Sequence, residues 1–137
     1  MPLDTDGLFD RMLIRERYGR YALAVAQQDA DAWLACWSAD ATWKTSLFEV
    51  SGQAALQQMW AATWINFDKV AAFNEVGEIV VSGDNATAKS AVYEIMTLKS
   101  GALHKMAGVY TDEFVREGGV WRFSRREYAL ISQETAA

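Results

Sequence analysis

Three short turn signals in the second half of the chain constrain its fold more than any other feature. They are Ser82-Gly83-Asp84-Asn85, Lys99-Ser100-Gly101-Ala102 and Glu117-Gly118-Gly119-Val120. Around them, over about 69–81, 86–99, 103–117 and 120–131, β-branched and aromatic residues alternate with polar ones. Four long strands joined by tight turns make an antiparallel meander. The first half carries a different period. Ile14, Tyr18, Tyr21 and Val25 recur at spacings of four, three and four, which places them on one stripe of a helix over roughly 7–28. Asp29 reads as the N-cap of a short second helix, which carries Trp33 and Trp37 and ends near Ser38-Ala39-Asp40. A short strand at 41–44 and a loop through Phe48 lead to Ser51-Gly52. Leu56, Met59, Trp60, Thr63, Trp64 and Phe67 then mark a third helix over about 53–66, with Gln53, Gln57 and Gln58 turned away. The expected fold class is α+β, with three N-terminal helices packed on one face of a curved, mostly antiparallel sheet. No linker or repeat interrupts residues 1–137, which read as a single domain.

Composition narrows the function classes. Thirteen basic and eighteen acidic residues give a net charge of −5, which argues against nonspecific nucleic-acid binding and against an anionic membrane surface. No apolar run reaches the ~18 residues of a membrane span, and the acidic start Met1-Pro2-Leu3-Asp4-Thr5-Asp6 does not read as a secretory leader. One histidine and one cysteine, His104 and Cys36, make a transition-metal cluster an unpromising reading, and Cys36 fits a reducing, cytoplasmic setting. Asp4, Asp6 and Asp10 lack the glycine and glutamate of a calcium loop, and Gly118-Gly119 precedes a strand rather than a phosphate-binding helix. The expectation is therefore chemistry without a cofactor. The excess lies in large rings: six Trp, six Phe and five Tyr, more than a plain small core requires. Some are expected to line a cavity for a small apolar or aromatic molecule.

The order of elements resembles the nuclear transport factor 2-like cone folds, which include SnoaL-like polyketide cyclases, scytalone dehydratase and ketosteroid isomerase. The resemblance rests on Arg20-Tyr21, Asp29, the run from Ser38 to Trp43, Gly52, and the run from Gly119 to Phe123, in that order, and it covers nearly the whole chain. It implies a deep apolar pocket and a homodimer formed through the sheet. It also implies Trp43, Phe48 and Trp64 as pocket wall, and a phenol at Tyr21 that polarises a substrate carbonyl. The chain departs from the pattern in two places. Lys44-Thr45-Ser46 stands where isomerase relatives carry a general-base aspartate. Ala72-Phe73-Asn74-Glu75 stands where dehydratase relatives carry a histidine, although Asn74 or Glu75 could stand in.

Register arithmetic supplies the remaining candidates. A two-residue hairpin at Ser100-Gly101 would place Met106 opposite Ile95 and Gly108 opposite Tyr93. His104, Met106, Tyr110, Asp112 and Phe114 would then share the inner face with Tyr93 and Ile95, leaving Ser90, Val92 and Glu94 on the other face. A one-residue bulge would reverse part of this assignment. Asp112 has two readings. Buried among rings, it would act as a general acid with Tyr21 beside it; otherwise it pairs across the sheet with Lys89 or Arg125. Tyr18, on the stripe of Tyr21, together with Tyr93, Tyr110 and Phe114, is expected to contact substrate. His104 lies about 27 Å along a straight strand from Asp112, too far for a dyad, so it is expected at the rim. Trp33, Trp37, Trp60 and Trp121 are expected in the core. The leading function is a cofactor-free isomerase, dehydratase or cyclase acting on an apolar cyclic or polyketide-like compound. The alternatives are a noncatalytic ligand-binding or dimeric interaction protein, and a structural subunit resembling the small subunit of ring-hydroxylating dioxygenases.

Overall fold

A computed structural model describes residues 5–137, so Met1–Asp4 of the acidic start lies outside the described residues. Helix α1 (Thr5–Gln27) is followed by α2 (Ala30–Leu34), β1 (Trp37–Lys44), β2 (Glu49–Ser51) and α3 (Gln53–Asn66). Four long strands complete the chain: β3 (Phe67–Ser82), β4 (Asn85–Leu98), β5 (Leu103–Glu117) and β6 (Val120–Ala136). All six strands form one curved sheet in the order β2-β1-β6-β5-β4-β3. Every neighbouring pair is antiparallel except β1 with β6, which is parallel.

The helices lie where their periodicity puts them. Ile14, Tyr18 and Tyr21 are buried on one stripe of α1, and Leu56 and Trp60 are buried on α3. Asp29 caps α2 by accepting a hydrogen bond from the Ala32 amide at 3.1 Å. Two local expectations give way to tertiary contacts. Helix α2 stops at Leu34, and Trp37 opens a strand instead of closing the helix. The Phe123 amide donates to the Cys36 carbonyl at 2.8 Å, so pairing with β6 takes over the backbone there. Gln53 does not turn away. Its amide donates to the carbonyls of Leu34, Trp37 and Ser38, tying the start of α3 to the end of α2. Trp33, Trp37, Trp60 and Trp121 are buried, with Trp33 and Trp60 ring centroids 4.8 Å apart. Among the described residues, no helix is long and apolar enough to cross a membrane.

The first and third turns are two-residue connections, pairing Ser82 with Asn85 and Glu117 with Val120. The middle one is not. The Leu98 amide donates to the Ala102 carbonyl, and the Gly101 amide donates to the Leu98 carbonyl, both at 2.9 Å. The loop is therefore three residues, Lys99–Gly101, closed by Gly101 at φ +90°. One extra loop residue shifts the pairing of β4 and β5 by one position. Tyr93 faces Ala107 instead of Gly108, and Met106 faces Glu94 instead of Ile95. With a side-chain period of two, this shift exchanges the two faces of β4. Tyr93 and Ile95 belong to the outer face, and Tyr93 is 41% exposed. Ser90, Val92, Glu94 and Met96 join Tyr110, Asp112 and Phe114 on the inner face.

A second shift lies between β5 and β6. Glu113 pairs with Arg125, but Phe114 pairs with Phe123, so Ser124 is the extra residue of a bulge. Continued from there, the register sets Asp112 opposite Arg126 rather than Arg125.

Gly101→Val places a β-branched side chain in the left-handed region and is expected to cost about 1–2 kcal/mol. A urea denaturation midpoint shifted by that amount, with the cooperativity of the transition unchanged, is the expected outcome.

Candidate active site

The centre of the inner face holds a buried ion pair. Arg126 Nε donates to Asp112 Oδ1 at 2.8 Å, and a terminal guanidinium nitrogen, Nη2, donates to Oδ2 at 3.2 Å. Tyr18 Oη donates to the same Oδ2 at 2.5 Å. Asp112 and Arg126 are 0% and 1% exposed. A charge removed this far from water requires a partner and complete hydrogen bonding. Asp112 receives three donors. Arg126 receives the carboxylate and, around its plane, four rings. Its Cζ lies 3.7 Å from the Tyr110 ring centre, 4.4 Å from Phe123, 4.7 Å from Tyr21 and 5.5 Å from Tyr18. Cation–π attraction is strongest where water is excluded, as it is here. Burial opposes the Arg126 charge, but the charge and hydrogen bonds of Asp112 work against that, and the net shift of its pKa is upward. Burial, and next the Asp112 charge, push the Tyr18 pKa up strongly, so Tyr18 remains a phenol and a donor.

Arg126 faces a cavity on its other side. The cavity lies between the sheet and the helices, with a volume of about 90 Å³. Trp33, Trp43, Trp60 and Trp64 wall it, and Val70, Val92 and Met96 add aliphatic surface. Its polar groups are few: Tyr21, Tyr110, Arg126, Glu94, Asn74 and Thr63. Trp43 Nε1 donates to Tyr110 Oη at 3.1 Å, which orients that phenol. Burial raises the Tyr21 pKa to about 12 and holds Tyr110 well above its ordinary value, so both hydroxyls stay protonated. Arg126 Nη1 donates no hydrogen bond among the described residues. The Glu94 carboxyl has neither a hydrogen bond nor an ion pair among them. Burial raises its pKa, and the nearby Arg126 charge only partly offsets that shift. A carboxyl raised in this way is suited to taking and returning a proton.

One neighbour of Glu94 stands out. A Cβ on Gly108 would fall 2.4 Å from the Tyr128 ring, so the missing side chain is what lets that ring lie across the strand. Burial, and next the charge of Glu94, raise the Tyr128 pKa to about 12. Its hydroxyl is buried without a hydrogen-bond partner.

Of the expected site residues, Tyr21, Trp43, Trp64 and Tyr110 come together around the cavity. Asp112 is buried on the inner face, but it is sealed behind Arg126 and pairs with neither Lys89 nor Arg125. Tyr18, not Tyr21, is the phenol bound to it. Tyr18 and Phe114 pack edge to face at 5.6 Å in the layer behind the cavity and do not line it. Phe48 stands edge-on to Trp43 at 5.0 Å, supporting the wall from outside. Tyr93 faces outward because of the three-residue loop. His104, near the start of β5, bonds Thr135 Oγ1 at 2.6 Å; it is paired with the lining residue Met96 but does not itself line the cavity. Arg126 and Glu94 escaped the sequence reading, each by one residue of register. Gly101 was the available signal for Glu94, and no comparable signal marks the bulge at Ser124. Among the described residues, no group of three or more His, Cys, Asp or Glu side chains is placed to hold a metal ion.

A curved sheet closed by three helices around an aromatic cavity defines a cone-shaped class of α+β folds. Within it, this chain belongs to the SnoaL-like domain family, which matches residues 7–127. Solved structures agree. A hexachlorocyclohexane dehydrochlorinase, LinA type 2, is 20% identical with a TM-score of 0.84, covering 95% of this chain and 90% of the other. A candidate scytalone dehydratase from Novosphingobium aromaticivorans is 21% identical with a TM-score of 0.86, covering 93% and 87%. The Kfla4162 protein from Kribbella flavida is 20% identical with a TM-score of 0.84, covering 92% and 93%. These likenesses establish the fold. Comparison with curated proteins gives no match.

Breaking the ion pair from one side strands a buried charge. Arg126→Met or Asp112→Leu alone is expected to destabilise the fold by about 3–5 kcal/mol, and the double variant by much less than the sum. A double-mutant cycle from chemical denaturation measures the difference.

Proposed function

We propose that the protein is a cofactor-free acid–base enzyme acting on a small ring compound that carries a carbonyl. The observation that carries this reading is the pairing of a free carboxyl, Glu94, with a fixed cation, Arg126, in one aromatic-walled cavity. The Glu94 carboxylate takes a proton from the carbon next to the carbonyl. Negative charge then gathers on the carbonyl oxygen, where the unbonded N–H groups of Arg126 and the Tyr21 hydroxyl stabilise it. In a ring with a carbon–carbon double bond next to that carbon, the proton can return at the far end of the double bond, which moves into conjugation with the carbonyl, giving isomerisation. Alternatively, the electron pair can expel a leaving group on the neighbouring carbon, giving elimination. Asp112, with Tyr18, is a positioning residue that holds the guanidinium plane. A volume of about 90 Å³ is smaller than the roughly 150 Å³ cavity known to hold benzene, so it excludes a polycyclic compound, and a single ring fits only if the walls yield slightly around it. The dehydrochlorinase and dehydratase names among the structural relatives are consistent with this class of chemistry.

Cyclohexanone in D₂O provides the test. Wild-type protein is expected to speed exchange of the ring hydrogens next to the carbonyl, as followed by NMR. Glu94→Gln is expected to lower that acceleration by about 10²-fold or more. A Glu94→Gln protein that exchanges as fast as wild type sinks the proposal. The pH dependence has a defined sign. Because the Glu94 pKa is raised on folding, the acceleration increases as pH rises through a midpoint above the ordinary glutamate value. The same shift means the folded state binds the proton more tightly than the unfolded chain. Its contribution to stability is therefore present below the unfolded pKa and is lost as pH rises through the folded one.

The homodimer through the sheet belongs to the same proposal. Phe73, Tyr93 and Ile131 are exposed on the outer face, at 62%, 41% and 69%. They are the apolar surface a second copy would cover. Light scattering is expected to give twice the chain mass, and Ile131→Asp with Phe73→Asp to give the single-chain mass. The setting proposed is the cytoplasm, where a single buried thiol, Cys36, requires no disulfide partner.

A further inference from the structure

Two residues that line the cavity carry buried polar atoms without a partner, which the acid–base chemistry does not use. Trp64 Nε1 and Asn74 Oδ1 are both buried without a partner, and both residues line the cavity. They come from different walls. Trp64 is on α3, its ring 5.3 Å from that of Trp60. Asn74 is on β3, paired in register with Val92, one inward position along from the Ala72–Glu94 pair. More than nine in ten buried polar groups in folded proteins are satisfied, so two orphans on one small cavity call for an occupant that satisfies them. The other polar lining groups do not do so: the Thr63 hydroxyl donates to the Met59 carbonyl at 3.0 Å, and Tyr21, Tyr110, Glu94 and Arg126 bond neither orphan.

The charges set a further condition. Arg126 is already neutralised by Asp112. Glu94 is the remaining ionisable carboxyl among the lining residues, so an anionic ligand would bring a second negative charge beside it. We propose that the substrate is a neutral, hydroxylated ring ketone. Its hydroxyl oxygen accepts from Trp64 Nε1 and its hydroxyl proton goes to the Asn74 amide oxygen, while its carbonyl faces Arg126. A hydroxyl is the small group that both accepts and donates, so one such group answers both orphans. A hydrocarbon or halocarbon ring leaves both unpaired, and sites built to bond a hydroxyl discriminate strongly against ligands that lack one. Asn74 and Trp64 are thus specificity-determining residues of the proposed site. This inference deepens the reading built on Glu94 and rests on it.

Cyclohexanone and the 2-, 3- and 4-hydroxycyclohexanones test it by NMR titration of the full-length protein. At least one hydroxy isomer is expected to bind about tenfold or more tighter than cyclohexanone. In Asn74→Leu and in Trp64→Phe the ratio of hydroxy-isomer affinity to cyclohexanone affinity, measured within each variant, is expected to fall to threefold or less. Either variant suffices if the other does not melt cooperatively. The inference is overturned if no isomer gains over cyclohexanone, as when ordered water already satisfies both groups. It is also overturned if the gain survives both substitutions, or if none of the four compounds binds. The two readings fail separately. Cyclohexanone exchange that depends on Glu94, without a hydroxyl gain, removes only this inference. A hydroxyl gain that depends on Asn74 or Trp64, without exchange, removes only the catalytic reading.

Discussion

The Asp112–Arg126 pair is the constraint around which the other inner-face residues are arranged. A guanidinium and a carboxylate buried together lose more hydration than their attraction returns unless good geometry and further hydrogen bonds compensate. Here the compensation draws on several elements. Helix α1 sends Tyr18 to the carboxylate and the Tyr21 ring to the cation, β5 supplies Asp112 and Tyr110, and β6 supplies Arg126 and Phe123. The pair therefore fixes how α1 lies on the sheet. It also fixes which N–H groups of Arg126 remain for the cavity, so a structural contact and a candidate binding group share one side chain.

The layout of the fold was legible because its signals are local. Turn residues at three places and a helical period over 53–66 need no tertiary information, and the observed bounds of α3, Gln53–Asn66, follow that period. The candidate site was less legible because it depends on strand register, which two single-residue features decide. The glycine at 101 distinguishes a three-residue loop from a two-residue one, and with it whether Tyr93 or Glu94 turns inward. The bulge at Ser124 decides whether Asp112 meets Arg125 or Arg126. Trp37 is a different case. It has a helical spacing from Trp33 and still lies in a strand, because pairing with Phe123 and packing against Trp33 at 5.5 Å outweigh a local preference.

The site also divides its rings by task. Tyr21 and Tyr110 bring hydroxyls to the cavity and ring faces to Arg126, which a leucine or a phenylalanine could not do together. Tyr128 reaches the neighbourhood of Glu94 only because Gly108 yields the space of a side chain. Small and large residues on adjacent strands thus act as a pair, and neither is informative alone.

The aromatic wall has an optical consequence. Five indoles, Trp37, Trp43, Trp33, Trp60 and Trp64, form an unbroken chain of ring contacts with centroids no more than 6.0 Å apart. Electronic excitation absorbed by any one of them migrates to its neighbours before it is emitted. The chain begins in the core at Trp37 and ends at Trp64 on the cavity. An occupant that perturbs Trp64 therefore alters the emission of the whole array, giving the protein a built-in fluorescent reporter of its own occupancy.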